Sequence, residues 1–280
     1  MAGAALRRQA DRGPCHVGDT VIFDTWLDMP TWGIFGSLAL LFALSAFSIH
    51  WLSFGKPNRA RAAGFVGVVP PFSGTIAVLF ALLTGFLANE VWDRNRQADR
   101  AIFAERDALL SLHAISLATV SDMEDIRAAV QDYAETLIND EWPRMMEQQS
   151  SPKTGEALRT LLTKVSNPQI GVEAGTAAQS ALLNIVLKLR AARYDRLALS
   201  GDQTDRTKWS AVVILALISQ LAIGIVHLEK PQAQRASLAI FSVAVVITLG
   251  LVAMRERPFD GPVRFSPAPI QEALQIIRSG

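Results

Sequence analysis

Residues 70–92 read PPFSGTIAVLFALLTGFLANEVW, twenty residues without a charge before Glu90 and Trp92 close the run. A bilayer core is crossed by about 20 residues of helix, so this stretch reads as a transmembrane helix. Pro70 and Pro71 remove two amide donors and disfavour helical geometry in the residue before each, which predicts that the helix starts there. No breaker follows Trp92. Ala98, Ile102, Leu109 and Leu112 recur at helical spacing, so the helix is expected to leave the bilayer as one continuous rod.

Working outward, three more apolar stretches appear at residues 29–55, 209–228 and 236–254, and the first-quoted run extends back to residue 62. Within that extension, residues 65–69 read as a separate re-entrant or interfacial piece. Trp32 and Trp51 stand near the two ends of the first stretch, where amphipathic rings favour the headgroup region. Residues 227–232 form a short link between the last two, predicting a tight hairpin. The chain is thus expected to be an all-α polytopic membrane protein with four transmembrane helices around a central helical extramembrane domain. The divisions are an N-terminal extension at 1–28, a first helix pair at 29–92, the helical domain at 93–208, a second pair at 209–254 and a C-terminal strap with a short helix at 255–280.

Half of the 280 residues are hydrophobic and the net charge is +1, which gives no support to nucleic-acid binding. The single cysteine, Cys15, excludes an internal disulfide framework. Arg7, Arg8 and Arg12 precede no apolar core, so the first twenty residues read as a frayed extension rather than a cleavable signal peptide.

In the middle of the chain the period is helical. Ser121-Asp122-Met123-Glu124 predicts a capping box, followed by an apolar face of Met123, Ile126, Val130, Tyr133 and Leu137 that Trp142-Pro143 ends or kinks. A short helix is expected around residues 158–162 after Ser150-Ser151-Pro152, and a long one burying Leu182, Ile185, Leu189, Ala192 and Leu199. Residues 257–267 hold three prolines and no helical period, predicting a strap anchored by Phe259 and Phe265, with residues 270–277 as a closing amphipathic helix.

Basic residues set the expected orientation. The hairpin loops carry Lys56, Arg59, Arg61, Lys230 and Arg235, while Arg94, Arg96, Arg100, Arg106, Arg206, Lys208, Arg255, Arg257 and Arg264 lie at membrane ends on the other side. The excess predicts an inner (plasma) membrane protein with its central domain in the cytoplasm.

Residues 85–93, GFLANEVWD, with Ala98, Glu105 and Leu109 after them, resemble the bacterial bestrophin-like family of membrane proteins (the DUF4239 domain). Residues 193–200, RYDRLALS, leading to Trp209, and residues 257–267, RPFDGPVRFSP, resemble it too, and the matches keep their order over nearly the whole chain. The resemblance implies the architecture of bestrophins: pentameric anion channels whose second membrane helix lines a narrow apolar neck and whose central helices form a cytoplasmic vestibule. Pro71-Phe72-Ser73 is similar to the Pro-x-Ser that opens that helix, and Trp92 to a tryptophan near its end. Two departures stand out. Carried over from Pro71, the neck falls on Pro70, Gly74 and Val78, where bestrophins keep bulky side chains, and Pro262, Val263 and Arg264 follow Pro258-Phe259-Asp260-Gly261 in place of an acidic calcium clasp.

The residues themselves offer another pore face. Ile76, Phe80, Leu83, Leu87 and Glu90 recur at steps of four, three, four and three, an apolar stripe ending in one carboxylate. In a channel this is a dewetting constriction above an acidic ring favouring cations; the alternative is a stripe facing lipid or other helices. Gly74 and Val78 are the pore-lining candidates implied by resemblance, and Ala81 with Gly85 reads as a helix-packing seam. His50 lies inside the first span, as a proton sensor or an interfacial hydrogen-bonding group. Arg190, Arg193 and Arg196 gather on one flank, either facing anions or forming a solvated, salt-bridged face with Asp195 and the Glu105 region. No catalytic, cofactor or metal-ligand motif is present, so an enzyme is not expected. The expected partners are the lipid bilayer, further copies of the chain (five by resemblance) and inorganic ions. Two functions follow: an oligomeric ion channel with the second membrane helix lining the pore, or a non-conducting scaffold or sensor whose helical domain binds a partner.

Overall fold

The computed structural model describes residues 25–55, 63–65, 67, 70–118, 122–201 and 206–279. Cys15, the N-terminal arginines, Lys56, Arg59, Arg61 and Ser121 lie outside them. Among the described residues every regular element is helical. These are α1 (Thr31–Phe54), a 3-10 turn (Ala63–Phe65), α2 (Pro70–Ala118), α3 (Glu124–Thr136), a π-helical turn (Leu137–Glu141), α4 (Trp142–Met145), α5 (Pro152–Val165), α6 (Pro168–Glu173), α7 (Thr176–Gly201), α8 (Arg206–Val226), α9 (Pro231–Met254) and α10 (Ala268–Ser279). Helices α1, α2, α8 and α9 are long and apolar enough to cross a membrane. The protein is therefore an all-α polytopic membrane protein with four transmembrane helices, and α2 begins at the proline pair and runs unbroken for 49 residues.

Two compact units divide the chain, Met1–Asn89 with Thr204–Glu256, and Glu90–Gln203 with Arg257–Gly280. In the first, α1, α8 and α9 pack together. Glycine lets them approach: a Cβ on Gly224 would overlap Ile49, and one on Gly250 would overlap the Phe35 ring. Because α1 meets α9 through Phe35 at Gly250 and through His50 at Gln234, the two run antiparallel. Two buried glutamines fasten the trio. Gln220 Nε2 donates to Phe42 O at 3.1 Å and Ser242 Oγ at 2.8 Å, and Gln234 Nε2 donates to Gly224 O at 2.7 Å and Ser53 Oγ at 3.0 Å. Amides at this depth hold helices in register because the alternative is an unpaired polar group in hydrocarbon. The α8–α9 hairpin is as tight as expected, with Lys230 N–H donating to His227 O at 3.3 Å.

The second unit encloses its own core. Ala98, Ile102, Leu109 and Leu112 of α2 meet Met123, Ile126, Val130, Tyr133 and Leu137, all buried. Each large aliphatic side chain so buried stabilises the unit by about 1.5–3 kcal/mol. Beyond the prolines of the C-terminal segment, Phe259 enters this core edge-on to Trp142 with centroids 6.0 Å apart, Phe265 packs half-buried beside it, and α10 adds Ile270, Leu274 and Ile277.

Local details depart from the expectations. Helix α3 starts at Glu124, whose N–H is accepted by Asp122 Oδ1 at 3.0 Å, so aspartate supports this helix start. The proline at 143 does not end the helix at once; a π turn precedes it and one more α turn follows, an arrangement that accommodates the missing amide and the ring. Helix α5 has 14 residues, longer than expected, because Ser151 caps it by accepting Thr154 N–H at 3.1 Å. Helix α6, capped by Asn167, was not anticipated. On α7 the buried line is Leu182, Val186, Leu189, Ala192, Arg196 and Ser200, while Ile185 and Leu199 are half-buried. That line passes through an arginine, which an apolar-only reading steps around.

Candidate functional site

Helix α2 is the least covered of the four membrane helices alongside α1: 17% of its most apolar window is buried within the chain, against 39% for α8 and 33% for α9. Its two faces are unlike. Leu87 is 1% exposed, Ile76, Phe80, Leu83 and Glu90 are half-buried, and the Phe80 ring lies 6.0 Å from that of Phe241 on α9. This face is engaged in packing within the chain. On the opposite side Gly74, Ala81, Gly85 and Asn89 are exposed, Val78 is 67% exposed, and a Cβ placed on Gly74 or Gly85 meets nothing within 4 Å. The small-residue pair Ala81 and Gly85 is thus not a seam within the chain. Steps of four, three and four from Gly74 through Val78 and Ala81 to Gly85 keep these residues on one side of an α-helix.

In the second unit the sequence motifs converge on a buried ionic cluster. Arg196 and Glu105 are both fully buried, and the guanidinium grips the carboxylate through Nε to Oε2 at 2.6 Å and Nη2 to Oε1 at 3.2 Å. Arg196 Nη2 also donates to Glu141 Oε1 at 2.6 Å, Arg193 Nε donates to both Glu141 oxygens at 3.1 Å, and Tyr133 donates its hydroxyl to Glu105. The Trp142 ring lies 5.6 Å from the Arg196 guanidinium, a cation–π contact. Two carboxylates and two guanidiniums make the cluster neutral, which is what its burial requires.

The π turn aims Glu141 into this cluster. In an unbroken α-helix Glu141 would lie about 80° around from Tyr133, whereas the one extra residue of a π turn rotates it to within about 20°. Burial acts to raise the Glu141 pKa, but the hydrogen bonds from Arg193 and the charges of Arg196 and Arg193 outweigh it and hold the carboxyl below its ordinary value. Burial and the Glu105 charge push the Tyr133 hydroxyl well above its ordinary value, keeping it a donor. Arg196 stays charged, since its carboxylate partners overcome its desolvation.

The arginine flank read from the sequence therefore separates. Arg196 is buried, Arg193 is half-buried on Glu141, and Arg190 and Asp195 are exposed. The solvated face with Asp195 is replaced by a buried cluster with Glu105 and Glu141. Glu141 was missed by the sequence reading, and its only signal is an acid beside Trp142-Pro143. In the C-terminal motif Arg257 and Asp260 pair at 3.5 Å, and Gly261 N–H donates to Arg257 O at 3.1 Å in a turn with no room for a Cβ. His50 is hydrogen-bonded to Gln234 at 2.9 Å.

A family model described as a bestrophin-like domain matches residues 40–270. Among solved structures, one described as a membrane protein superposes with a TM-score of 0.71 at 10% identity, covering 88% of this chain and 97% of that one. A variant of a bacterial bestrophin homologue from Klebsiella pneumoniae superposes with a TM-score of 0.67 at 10% identity over 88% of this chain and 96% of that one. Another structure of a bestrophin homologue from the same organism gives 0.63 at 11% identity with the same coverage, 88% and 96%. At such identities the likeness is one of fold. No curated protein matches the chain in sequence.

Proposed function

The chain belongs to the bestrophin-like family, and from that premise we propose that it is an ion channel, a homo-oligomer of five copies around a pore lined by α2. The observation that carries the proposal is the uncovered face of α2. Gly74, Val78, Ala81 and Gly85 have no covering from their own protomer, whereas Phe80 and Leu87 are occupied with packing inside it. The pore face is accordingly the one carrying Gly74 and Val78, and the stripe of Ile76, Phe80, Leu83, Leu87 and Glu90 is structural. Val78 is the bulkiest of Gly74, Val78, Ala81 and Gly85, so a ring of Val78 forms the apolar constriction and gates by excluding water. Asn89 rather than Glu90 lies at the end of this exposed face. The protein resides in the inner membrane with the central helical domain in the cytoplasm.

Planar-bilayer recordings of the reconstituted protein test this. Val78→Ala widens and wets the constriction, and conductance rises; Val78→Phe narrows it, and conductance falls. Assembled wild-type protein that stays silent over all voltages and pH values would overturn the channel reading and leave a non-conducting scaffold or sensor in its place.

A further inference from the structure

A groove of about 520 Å3 runs along the outside of the membrane unit between α1 and α9. Its floor is made of small residues, Ala39, Ala43 and Ala46 on α1 and Ala239 on α9, between walls that include the exposed Phe47 and Val243. At one end stand the His50 imidazole and the Arg235 guanidinium. We propose that this groove binds one anionic phospholipid, an acyl chain in the alanine trough, the phosphate at Arg235 and a headgroup hydroxyl at His50.

Four observations point to that occupant. From Ala39 to His50 the trough is eleven residues of helix, about 16 Å long, which matches one leaflet of a hydrocarbon core about 30 Å thick. Its polar end is therefore at headgroup depth, where Trp51, half exposed beside His50, also belongs. Arg235 lines the groove, is exposed and makes no ion pair among the described residues, so its charge is available to a phosphate. The fourth concerns the imidazole. The Gln234 amide nitrogen is spent on Gly224 O and Ser53 Oγ, so Gln234 Oε1 accepts from His50 Nδ1–H and leaves Nε2 as an acceptor for a headgroup hydroxyl, which phosphatidylglycerol carries and phosphatidylcholine lacks. The Arg235 charge at this end of the groove favours an anionic headgroup over a zwitterionic one.

Native mass spectrometry of the full-length protein in detergent, offered equal amounts of phosphatidylglycerol and phosphatidylcholine, tests the assignment. The wild type retains phosphatidylglycerol over phosphatidylcholine by about fivefold, the factor expected from one basic side chain near a headgroup. Arg235→Ala, a change at an exposed position, brings the two lipids to near parity. Ala43→Phe fills the trough and lowers retention of both lipids with the oligomer mass unchanged. Equal retention by the wild type, or a preference that survives Arg235→Ala, overturns the proposal. So does displacement of the lipid by inorganic phosphate, which marks a free-anion site, or an Ala43→Phe variant whose oligomer falls apart while lipid retention holds, which marks a contact between copies.

Discussion

Arg196 shows how a charge can belong to a core. Taking one partner from a buried ion pair leaves the other uncompensated and costs about 3–5 kcal/mol. Arg196→Ala is therefore expected to destabilise the helical unit by about that much, read from denaturant melts in detergent, while Arg190→Ala, at an exposed position, changes stability by less than about 0.5 kcal/mol. The cluster also sets a pH dependence. Glu141 titrates below its ordinary value of 4.5 in the folded chain, so its stabilising contribution is complete above pH 4.5 and is lost as pH falls through the lower folded value. Thermal melts should show a loss of stability on acidification below pH 4.5 that is shallower in Glu141→Gln. Helical spacing offered a solvated, salt-bridged flank of Arg190, Arg193, Arg196, Asp195 and the Glu105 region, but not that Arg196 and Glu105 are buried together, since a charged residue at helical spacing looks the same on a solvated face. Glu141 was illegible for a further reason: its inward aim depends on a one-residue change of helical register that no local pattern announces.

Helix α2 joins two kinds of argument. Its start at Pro70-Pro71 and its continuation past the bilayer were readable, because prolines and an unbroken apolar period act locally. Which face does what was not, since both faces are apolar and only the neighbouring helices distinguish them. Phe80 lies against Phe241, and such aromatic pairs contribute about 0.5–1.5 kcal/mol. Phe80→Ala is thus expected to lower the melting temperature without raising conductance; a conducting gain with unchanged stability would return Phe80 to the pore. The C-terminal segment is the other element with a clear load. Phe259, Ile270, Leu274 and Ile277 all enter the core of the second unit, so a chain ending at Met254 should fail to assemble or melt at lower temperature. Wild-type behaviour of that chain in size-exclusion and melting experiments would show the segment to be dispensable.

At the scale of the whole molecule, four apolar spans and a helical middle were legible because membranes impose length and hydropathy on a sequence directly. Stoichiometry leaves no such trace, and the buried glutamines Gln220 and Gln234, which fasten three helices together, went unnoticed within stretches read for their apolarity. The proposed orientation rests on the basic residues: a reporter active only outside the membrane should be silent after Gln148 and active after Asn58, and the opposite pattern would invert the topology. The central claim is that the Gly74 and Val78 face of α2 lines an ion pathway. Cys15 is the sole cysteine, so a Cys15→Ala background carrying Val78→Cys or Phe80→Cys offers one thiol at a time to a charged, membrane-impermeant thiol reagent during bilayer recording. The account predicts that the reagent blocks current through Val78→Cys channels and leaves Phe80→Cys channels unaffected; current blocked at Phe80→Cys and untouched at Val78→Cys would contradict it.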